Sequence, residues 1–330
     1  MKKKHKFQPN PDAKLLDQVK EVLRYHHYAY RTEGTYCQWI LRYIHFYGGK
    51  THPREMGRKQ VETFLSNLVS QKKVAPSTQR QALNALVFLY REVLDIPIDG
   101  EMMPIRSKKK VQPPTVLTKE EVQTLFLRMN GTHLLMAKIL YGGGLRLMEC
   151  IRLRIQDVDF GQNKIYVRGG KGGKDRLSLF PQDIRNELRS QIDRMTIQHH
   201  EDLVEGFGEV YLPNALDRKY PNAARETGWQ YVFPSKKRST DPRSGKVMRH
   251  HVSETGLQKA VKRASTKAAI YKKVGCHTLR HSFATHMLEN GINIRVLQTL
   301  MGHTDVKTTE IYTHVMKKDI DAVQSPLDQW

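Results

Sequence analysis

The chain has 330 residues, of which 39% are hydrophobic and 27% are charged, and its formal net charge is +22. This length suits two domains that each bury a core, and the composition is that of an ordinary globular protein. So much positive charge indicates a polyanionic partner, usually nucleic acid, although a merely soluble basic surface is the alternative interpretation. Residues 1–110 carry 21 Lys and Arg against 10 Asp and Glu, and the remainder carries 34 against 23. Both halves are therefore expected to contact a phosphate backbone.

The cysteines and the apolar runs exclude several classes of protein. Cys37, Cys150 and Cys276 lie far apart without a C-x-x-C pair, which argues against a disulfide framework or a cysteine zinc site. No apolar run approaches the roughly 18 residues of a membrane span. The basic N-terminus is not followed by the apolar stretch of a secretory signal. We therefore expect a cytoplasmic protein with no membrane association.

Residues 1–105 are predicted to form a compact helical bundle with a basic exterior. Apolar residues recur at helical spacing in one stretch, at Val61, Phe64, Leu65 and Leu68. A second helix is predicted to start with Ser77 as its cap. Its apolar face is expected to hold Leu83, Leu86, Val87, Tyr90 and Leu94. The tyrosines of a third stretch, YCQWILRYIHFYG, are expected in the core and at its rim.

A basic, proline-containing stretch is predicted to be a linker, residues 106–114, ahead of a second domain at 115–330. Thr118 and Glu121 have the spacing of a capping box at the start of a helix. The segment VDFGQNKIYVRGGKGGKDRLSLF alternates apolar and polar residues. It predicts two or three short antiparallel strands with a tight turn at Gly169–Gly173. The predicted fold class is mainly α with a small antiparallel β-sheet.

Two patterns in this domain carry basic residues at possible anion sites. Arg146 follows three glycines at a predicted helix start, where backbone and guanidinium can approach an anion, and Glu149 follows three residues later. Lys171 lies in RGGKGGKDR, which is not a phosphate-binding P-loop because Asp175 stands where Ser or Thr is required. Taken alone, each pattern also fits an ordinary salt bridge or a polar hairpin turn.

Two further patterns lie near the C-terminus. In HTLRHSFATHMLENG, His277 and Arg280 are neighbours on one helix face, and Gly291 is expected to end the helix. His281 follows His277 at a spacing that zinc ligands use, but the glutamate of the zinc-protease motif is replaced by Thr278, so no metal site is expected. In LMGHTDVKTTEIYTHVM, Tyr312 comes nine residues after His303. Alone, such a tyrosine is usually a packing residue.

Together the order R…K…H-x-x-R…H…Y resembles the tyrosine recombinase (phage integrase) family over residues 115–316. The matching residues are Arg146, Lys171, His277, Arg280, His303 and Tyr312. The helical first domain is similar to the family's SAM-like core-binding domain, although that part of the similarity is generic. The resemblance implies a two-domain fold, with a helical core-binding domain and an α/β catalytic domain. It also implies an enzyme that cuts and rejoins DNA.

The resemblance assigns each of these residues a role. Tyr312 is the nucleophile that forms a 3′-phosphotyrosine intermediate. Arg146 and Arg280 clamp the nonbridging phosphate oxygens, and His303 adds a hydrogen bond to them. Lys171 is the general acid for the leaving 5′-hydroxyl, and His277 helps to take the proton from the tyrosine. Glu149 supports the site. No metal, ATP or other cofactor is expected.

The stretch between Lys171 and His277 is longer than in simpler Xer-like recombinases. The extra material, at about residues 201–251, resembles the insertion of integron integrases. That resemblance implies integration and excision of gene cassettes at folded single-stranded attC sites and at attI. We expect Trp229, Tyr231 and Pro234 to form a pocket for a base that protrudes from the hairpin. His250 and His251 are expected to contact another base, while a buried core role for Trp229 is the competing interpretation.

The resemblance also implies an assembly. Related recombinases pass a C-terminal helix to a neighbouring protomer, so the tail at 317–330 predicts a homotetramer on two DNA sites in a bacterial, nucleoid-associated setting. Three alternatives stay open. They are a phage or Xer recombinase that acts on duplex sites, a monomeric topoisomerase, and a catalytically silent DNA-binding protein.

Overall fold

The computed structural model describes residues 7–96, 98, 104–105, 114–170, 174–213 and 216–312. The chain divides into two compact units between Gln112 and Pro113. Most of the proposed linker, 106–114, lies outside the described ranges, as does the tail at 317–330. Within those ranges, no helix has both the length and the apolar character needed to cross a bilayer.

The N-terminal unit is a small helical bundle. Its helices are α1 (Leu15–Tyr25), α2 (Tyr30–Phe46), α3 (Arg58–Ser70) and α4 (Pro76–Phe88), the last continued by a π-helical turn at Leu89–Val93. All four predicted apolar positions of α3 are buried in one common core. Tyr43 and Tyr90 lie inside this core with their hydroxyl oxygens 2.9 Å apart. Because Tyr90 also bonds the Pro53 carbonyl at 3.0 Å, this buried polar pair is satisfied.

The start of α4 differs from the prediction. The helix begins at Pro76, after Ala75, so Ser77 lies inside the first turn and the prediction that it caps the helix is wrong. Proline displaces it because its fixed φ and missing N–H suit the first helical position. Of the predicted apolar face, Leu86, Tyr90 and Leu94 are buried, whereas Leu83 and Val87 are half-buried.

The C-terminal unit contains the remaining helices. They are α5 (Lys119–Leu127), α6 (Gly131–Gly142), α7 (Leu147–Ile151), α8 (Arg185–Val204), α9 (Leu216–Lys219), α10 (Glu254–Lys267), α11 (Cys276–Glu289), α12 (Ile294–Met301) and α13 (Lys307–Glu310). The predicted capping box of α5 is confirmed, since the Thr118 hydroxyl accepts from the Glu121 N–H and the Glu121 carboxylate accepts from the Thr118 N–H. Helix α11 ends at Glu289, and Gly291 follows with a φ of +78°.

Helix α6 is the centre of this unit. Its buried residues cover a broad face rather than one narrow stripe, which is the pattern of a largely enclosed helix. They are Leu135, Met136, Ala137, Ile139 and Leu140. The glycine run at 142–144 lies at the end of α6 and packs closely against neighbouring elements. A Cβ on Gly144 would lie 2.4 Å from the Phe283 ring of α11, so only glycine permits this approach.

A three-stranded antiparallel sheet covers one side of the unit. Its strands are β1 (Val158–Asp159), β2 (Lys164–Val167) and β3 (Arg176–Leu179), in that order. The β2–β3 hairpin pairs Val167 with Arg176, and the Gly170 N–H bonds the Lys174 carbonyl at 3.1 Å. The predicted fold class, mainly α with a small antiparallel sheet, is confirmed. Lys171 lies outside the described residues.

The extra segment at about 201–251 adds a second, two-stranded sheet that the sequence did not predict, β4 (Ser239–Thr240) paired with β5 (Val247–Met248). A small apolar cluster, which includes Val210, Leu212 and Tyr231, forms its centre. The buried Asp202 carboxylate accepts hydrogen bonds from Arg249 at 2.5 and 2.7 Å, which fixes the second sheet to the end of α8.

Candidate active site

The first part of the site is a carboxylate shared by two arginines. The Arg146 side chain bonds the Glu149 carboxylate at 2.7 Å, and the Arg146 N–H bonds the other oxygen at 2.8 Å. Arg176 of β3 approaches the same carboxylate with two N–H groups, at 2.9 and 2.7 Å. The sequence indicated a supporting role for Glu149 but no role for Arg176. In the sequence Arg176 is an ordinary strand residue, and only the packing of the sheet against α7 brings it to Glu149.

This arrangement keeps the carboxylate charged. Burial alone opposes ionisation of Glu149, but the Arg176 guanidinium, assisted by Arg146, lowers its pKa to about 2. Glu149 is therefore an anion at neutral pH. It balances one of the positive charges around it and fixes the position of both guanidiniums.

Arg280 is the buried cation at the centre of the site. It is 4% exposed, and its guanidinium donates to the carbonyls of Gly144 and Met301. Burial, followed by the charge of Arg146, lowers its pKa to about 9, so it remains protonated at neutral pH. Arg146 donates to the carbonyl of Gly302 at 3.1 Å. The two predicted arginines are thus held by consecutive carbonyls at the end of α12.

His303 is also part of this cluster. Its Nε2 lies 3.3 Å from Nη2 of Arg280, and its Nδ1 lies 2.9 Å from the hydroxyl of the buried Thr309. Because the guanidinium can only donate, the bond to Arg280 requires a lone pair on Nε2, which leaves the ring proton on Nδ1 facing Thr309. The Thr309 hydroxyl then accepts from this N–H and helps to orient the ring of His303. No local pattern in the sequence singles out Thr309.

Tyr312 lies beside the arginines but is covered. It is 2% exposed, and burial raises its pKa to about 12, against the opposing charges of Arg280 and Arg146. Its hydroxyl is 2.6 Å from Nδ1 of His281. In the sequence, His281 stands out only as a possible zinc ligand. Its position one turn after His277, on the same face of α11, was the available signal.

His277 is part of the same helix as Arg280 and His281. It lies at the exposed start of α11, with its ring centroid 6.4 Å from that of His281. Partial burial, followed by the charges of Arg280 and Arg146, lowers its pKa. The histidine hydrogen-bonded to the Tyr312 hydroxyl is thus His281, and His277 is the outer member of the pair.

A second group of predicted residues gathers around Arg154. This buried arginine donates to the Trp229 carbonyl at 2.5 Å and to the Tyr211 carbonyl at 2.8 Å. Its guanidinium carbon lies 5.4 Å from the Trp229 ring centroid and 4.8 Å from that of Tyr231. Trp229 is half-buried, whereas Tyr231 is only 5% exposed. Trp229 therefore has accessible surface, and Tyr231 serves mainly as packing.

The other predicted base-contacting residues lie nearby. Pro234 pairs with His251 in an isolated antiparallel bridge, and the His251 ring meets Tyr231 edge-on at 5.4 Å between centroids. His250 is half-buried, and its Nε2 is a buried atom without a hydrogen-bond partner in the described structure. Among the residues described, no three His, Cys, Asp or Glu side chains gather as metal ligands.

The chain matches two known sequence families. Residues 115–319 match the Phage integrase family, and residues 15–99 match Phage integrase, N-terminal SAM-like domain. Two proteins named Integrase/recombinase, from Escherichia coli and Pseudomonas aeruginosa, are each 46% identical to it over 322 residues, which are 97% of this chain and 95% of theirs. Tyrosine recombinase XerA of Pyrococcus furiosus is 34% identical over 63% of this chain and 59% of its own.

Solved structures agree on the fold. The XerH site-specific recombinase bound to palindromic difH substrate aligns with a TM-score of 0.57 at 19% identity, covering 96% of this chain and 98% of that one. A lambda integrase dimer bound to a COC′ core site also gives 0.57, at 16% identity, covering 90% and 93%. The family resemblance read from the sequence is confirmed. The chain belongs to the phage integrase family, and it is a tyrosine recombinase, an enzyme that transfers DNA strands.

Proposed function

We propose that Tyr312 is the nucleophile and that Arg146, Arg280 and His303 bind the scissile phosphate. The observation that carries this proposal is the pair of guanidiniums held by consecutive carbonyls, Met301 and Gly302, beside the Tyr312 hydroxyl. An arginine has five N–H donors, and a planar guanidinium matches two phosphate oxygens at once. Fixed donors of this kind stabilise the negative charge that develops as the phenol attacks.

The charge of the site supports this assignment. Arg146, Arg176 and Arg280 bring three positive charges, and Glu149 neutralises one of them. A phosphodiester adds one negative charge, and the transition state adds more. Because the remaining positive charge is already in place, the reaction needs neither a metal ion nor ATP, and the phosphotyrosine bond conserves the energy for rejoining.

Lys171 is proposed as the general acid for the leaving 5′-oxygen. Its hairpin, β2–β3, is tied to the site by Arg176, the first residue of β3, which bonds Glu149 and the carbonyl of Leu300. This connection holds the first residue of β3 beside Glu149. Glu149 keeps its proposed supporting role, and His277 is proposed to help take the proton from Tyr312.

The substrate proposed is the folded single strand of an attC site, with attI as the partner site, and the function is integration and excision of gene cassettes. The support lies in the insertion at about 201–251, where the half-buried Trp229 has the Arg154 guanidinium near its ring. An aromatic ring that is backed by a cation and partly accessible can stack on a protruding base. In this proposal Pro234, His250 and His251 line the same region, and Tyr231 supports it.

Replacing Trp229 separates this substrate from a duplex one. Trp229→Ala is expected to reduce covalent-complex formation on a hairpin with a protruding base, whereas Trp229→Phe, which keeps a flat aromatic face, retains most of it. Stacking on one base is worth ~1–3 kcal/mol, which corresponds to a loss of about 5- to 150-fold. An equal loss on a fully paired duplex would show that Trp229 acts through folding alone.

The assembly proposed is a homotetramer on two DNA sites, with the tail at 317–330 exchanged between protomers. A chain ending at Lys318 should still bind one site but should not form the synaptic complex. Native gel electrophoresis with two labelled sites measures both. Unchanged assembly of the shortened chain would exclude the tail as the connecting element.

The deciding experiment is covalent trapping. The protein is incubated with a labelled bottom-strand attC hairpin, the matching top strand and a nicked duplex, and the products are separated on a denaturing gel beside Tyr312→Phe. A band on the bottom-strand hairpin alone, lost in Tyr312→Phe, supports the nucleophile and the integron-type substrate. A band on the duplex alone keeps the chemistry but assigns a phage or Xer-type substrate. Tight binding with no band on any DNA supports a silent DNA-binding protein.

A further inference from the structure

We infer, on the basis of the proposed binding of the scissile phosphate by Arg146, that Arg176 is a positioning residue for strand transfer. It holds the guanidinium of Arg146 at the phosphate site and does not bind the DNA. The Arg176 side chain is only 7% exposed. Its Nε donates to the Leu300 carbonyl at 2.8 Å, and Nη1 and Nη2 donate to the Glu149 carboxylate. Three of its five N–H groups are therefore used inside the protein.

Three arginines converge on the end of α12. The acceptors are three consecutive carbonyls, and each of them bonds a different arginine. In chain order the pairs are Leu300 with Arg176, Met301 with Arg280, and Gly302 with Arg146. The last carbonyls of a helix have no partner inside it and lie at the negative end of the helix dipole, so they suit guanidiniums. Because these acceptors follow one another along the backbone, they set the spacing between the three arginines.

Gly302 leaves the room that Arg176 needs at this helix end. Its φ is +60°, and a Cβ there would lie 2.7 Å from Cδ and 3.1 Å from Nε of Arg176. The arginine side chain therefore crosses directly over the Gly302 backbone, and it cannot move aside without losing its bonds to Leu300 and Glu149. The Gly302 carbonyl also accepts from Arg146 at 3.1 Å. The two arginines are thus fixed by neighbouring atoms of one turn of backbone.

Glu149 is the second link between the two arginines. Its Oε1 accepts from Nη1 of Arg146 at 2.7 Å and from Nη1 of Arg176 at 2.9 Å. Without Arg176 the carboxylate would keep Arg146 as its nearest cation, because the guanidinium of Arg280 is 3.9 Å away. Glu149 would then compete with a DNA phosphate for the N–H groups of Arg146. Arg176 satisfies Glu149, so that Arg146 keeps donors for the phosphate.

The variants to compare are Arg176→Gln, Arg176→Lys and Arg146→Ala, each in the full chain. Arg176→Gln is expected to slow covalent-complex formation by about 10–10²-fold, because a small displacement of a group that binds the reacting phosphate strongly lowers the rate. DNA affinity should change little. Arg176→Lys should recover only part of the rate, since an ammonium carries the charge but cannot form the two parallel bonds. A wild-type rate in either Arg176 variant would overturn the inference.

Arg249 provides a matched control in the insertion. It is a mostly buried arginine with two bonds to a buried carboxylate, that of Asp202, at 2.5 and 2.7 Å. It also donates to a backbone carbonyl, that of Ser235, at 3.0 Å. At saturating DNA, Arg249→Gln should lower the melting temperature about as much as Arg176→Gln but should slow the covalent step much less. Equal losses of rate at equal losses of stability would assign Arg176 a purely structural role.

A substrate with a methylphosphonate at the scissile position tests whether Arg176 acts through Arg146. This group carries no negative charge, so its reaction depends less on the guanidinium of Arg146. The defect of Arg176→Gln should shrink on this DNA, whereas that of Arg249→Gln should not. On ordinary DNA, adding Arg176→Gln to Arg146→Ala should cause little further loss. Losses that multiply would mean that Arg176 binds the phosphate itself, and an undiminished defect on the neutral substrate would also overturn the inference.

The proposed function is tested separately by the wild-type chain. If Tyr312→Phe abolishes the covalent band and Arg146→Ala slows its formation, a normal rate in Arg176→Gln refutes only the inference. If the wild type gives no band on hairpin or duplex DNA, the proposed function and the inference fail together. If Arg176→Gln does not fold, Arg176→Lys, which keeps a cation beside Glu149, is compared with Arg249→Lys. A larger loss of rate in Arg176→Lys then supports the inference, and equal losses overturn it.

Discussion

Arg176 meets the Glu149 carboxylate through two parallel hydrogen bonds, 2.9 Å from Nη1 to Oε1 and 2.7 Å from Nη2 to Oε2. Both side chains are less than one-tenth exposed. The pair therefore joins the β2–β3 hairpin to the start of α7 through a charge-assisted contact that water screens weakly.

This pair predicts a pH dependence of stability. The folded-state pKa of Glu149 is about 2, below the ordinary value of 4.5. Its contribution is therefore fully present above about pH 4.5 and is lost as the pH falls towards about 2. Glu149→Gln should be less stable than the wild type by ~3 kcal/mol at pH 7. Urea unfolding should show that this difference in the free energy of unfolding narrows between pH 4.5 and 2. A difference that stays constant over this range would contradict the prediction.

A second prediction concerns Thr309 and His303. Thr309→Val keeps the shape of the side chain but removes the hydroxyl that lies 2.9 Å from Nδ1 of His303. Without that partner the ring of His303 loses a hydrogen bond that orients it, and we expect cleavage to slow by ~10-fold or more. Thr309→Ser should recover most of the rate, and Thr308→Val, at an exposed position, is the control. Equal rates for Thr309→Val and the wild type would remove Thr309 from the site.

The glycine before Arg146 gives a third prediction. Gly144 has a φ of +60°, and a Cβ there would meet the Phe283 ring at 2.4 Å. Gly291 also has a positive φ, +78°, but a Cβ there would meet nothing within 4 Å. Gly291→Ala should therefore destabilise the protein by ~1 kcal/mol through backbone strain alone, whereas Gly144→Ala should lose ~2–4 kcal/mol by adding the steric overlap. Thermal unfolding of the two variants measures this difference in stability. Equal stabilities of Gly144→Ala and Gly291→Ala would contradict the prediction.

The fourth prediction concerns Arg154, which bonds the carbonyls of Trp229 and Tyr211. Arg154→Met keeps much of the packing but leaves both carbonyls without this donor, at ~1–3 kcal/mol each. The exposed Arg152→Met is the matched control and should change stability by less than ~0.5 kcal/mol. If both variants unfold at the same urea concentration, Arg154 does not hold the insertion in place.

The sequence predicted local features well. The burial of Phe64 and Leu65 follows from helical spacing, and the Thr118–Glu121 box is a contact between residues three apart. The short strands follow from alternation and glycine turns. The predicted cap at Ser77 is wrong because two local preferences compete there. The preference of proline for the first helical position, at Pro76, is stronger than that of Ser77 for the cap.

Long-range contacts set the limit of prediction. Arg176 lies 27 positions from Glu149, and His281 lies 31 from Tyr312. Nothing in the composition or periodicity of either segment selects its partner, because packing of distant elements creates the contact. The family resemblance supplied the order of the catalytic residues, but it directed attention to His277 and passed over the histidine that the fold places on the tyrosine.

The charge around Glu149 has a final consequence. Three guanidiniums, those of Arg146, Arg176 and Arg280, surround one carboxylate in a site that is mostly closed to water. Their mutual repulsion is therefore only partly relieved in the free protein. A DNA phosphate supplies the missing counter-ion, so the backbone of the nucleic acid completes an interior ion cluster of the protein. DNA binding should therefore also raise the free energy of unfolding of this domain, because the same phosphate contact contributes to both.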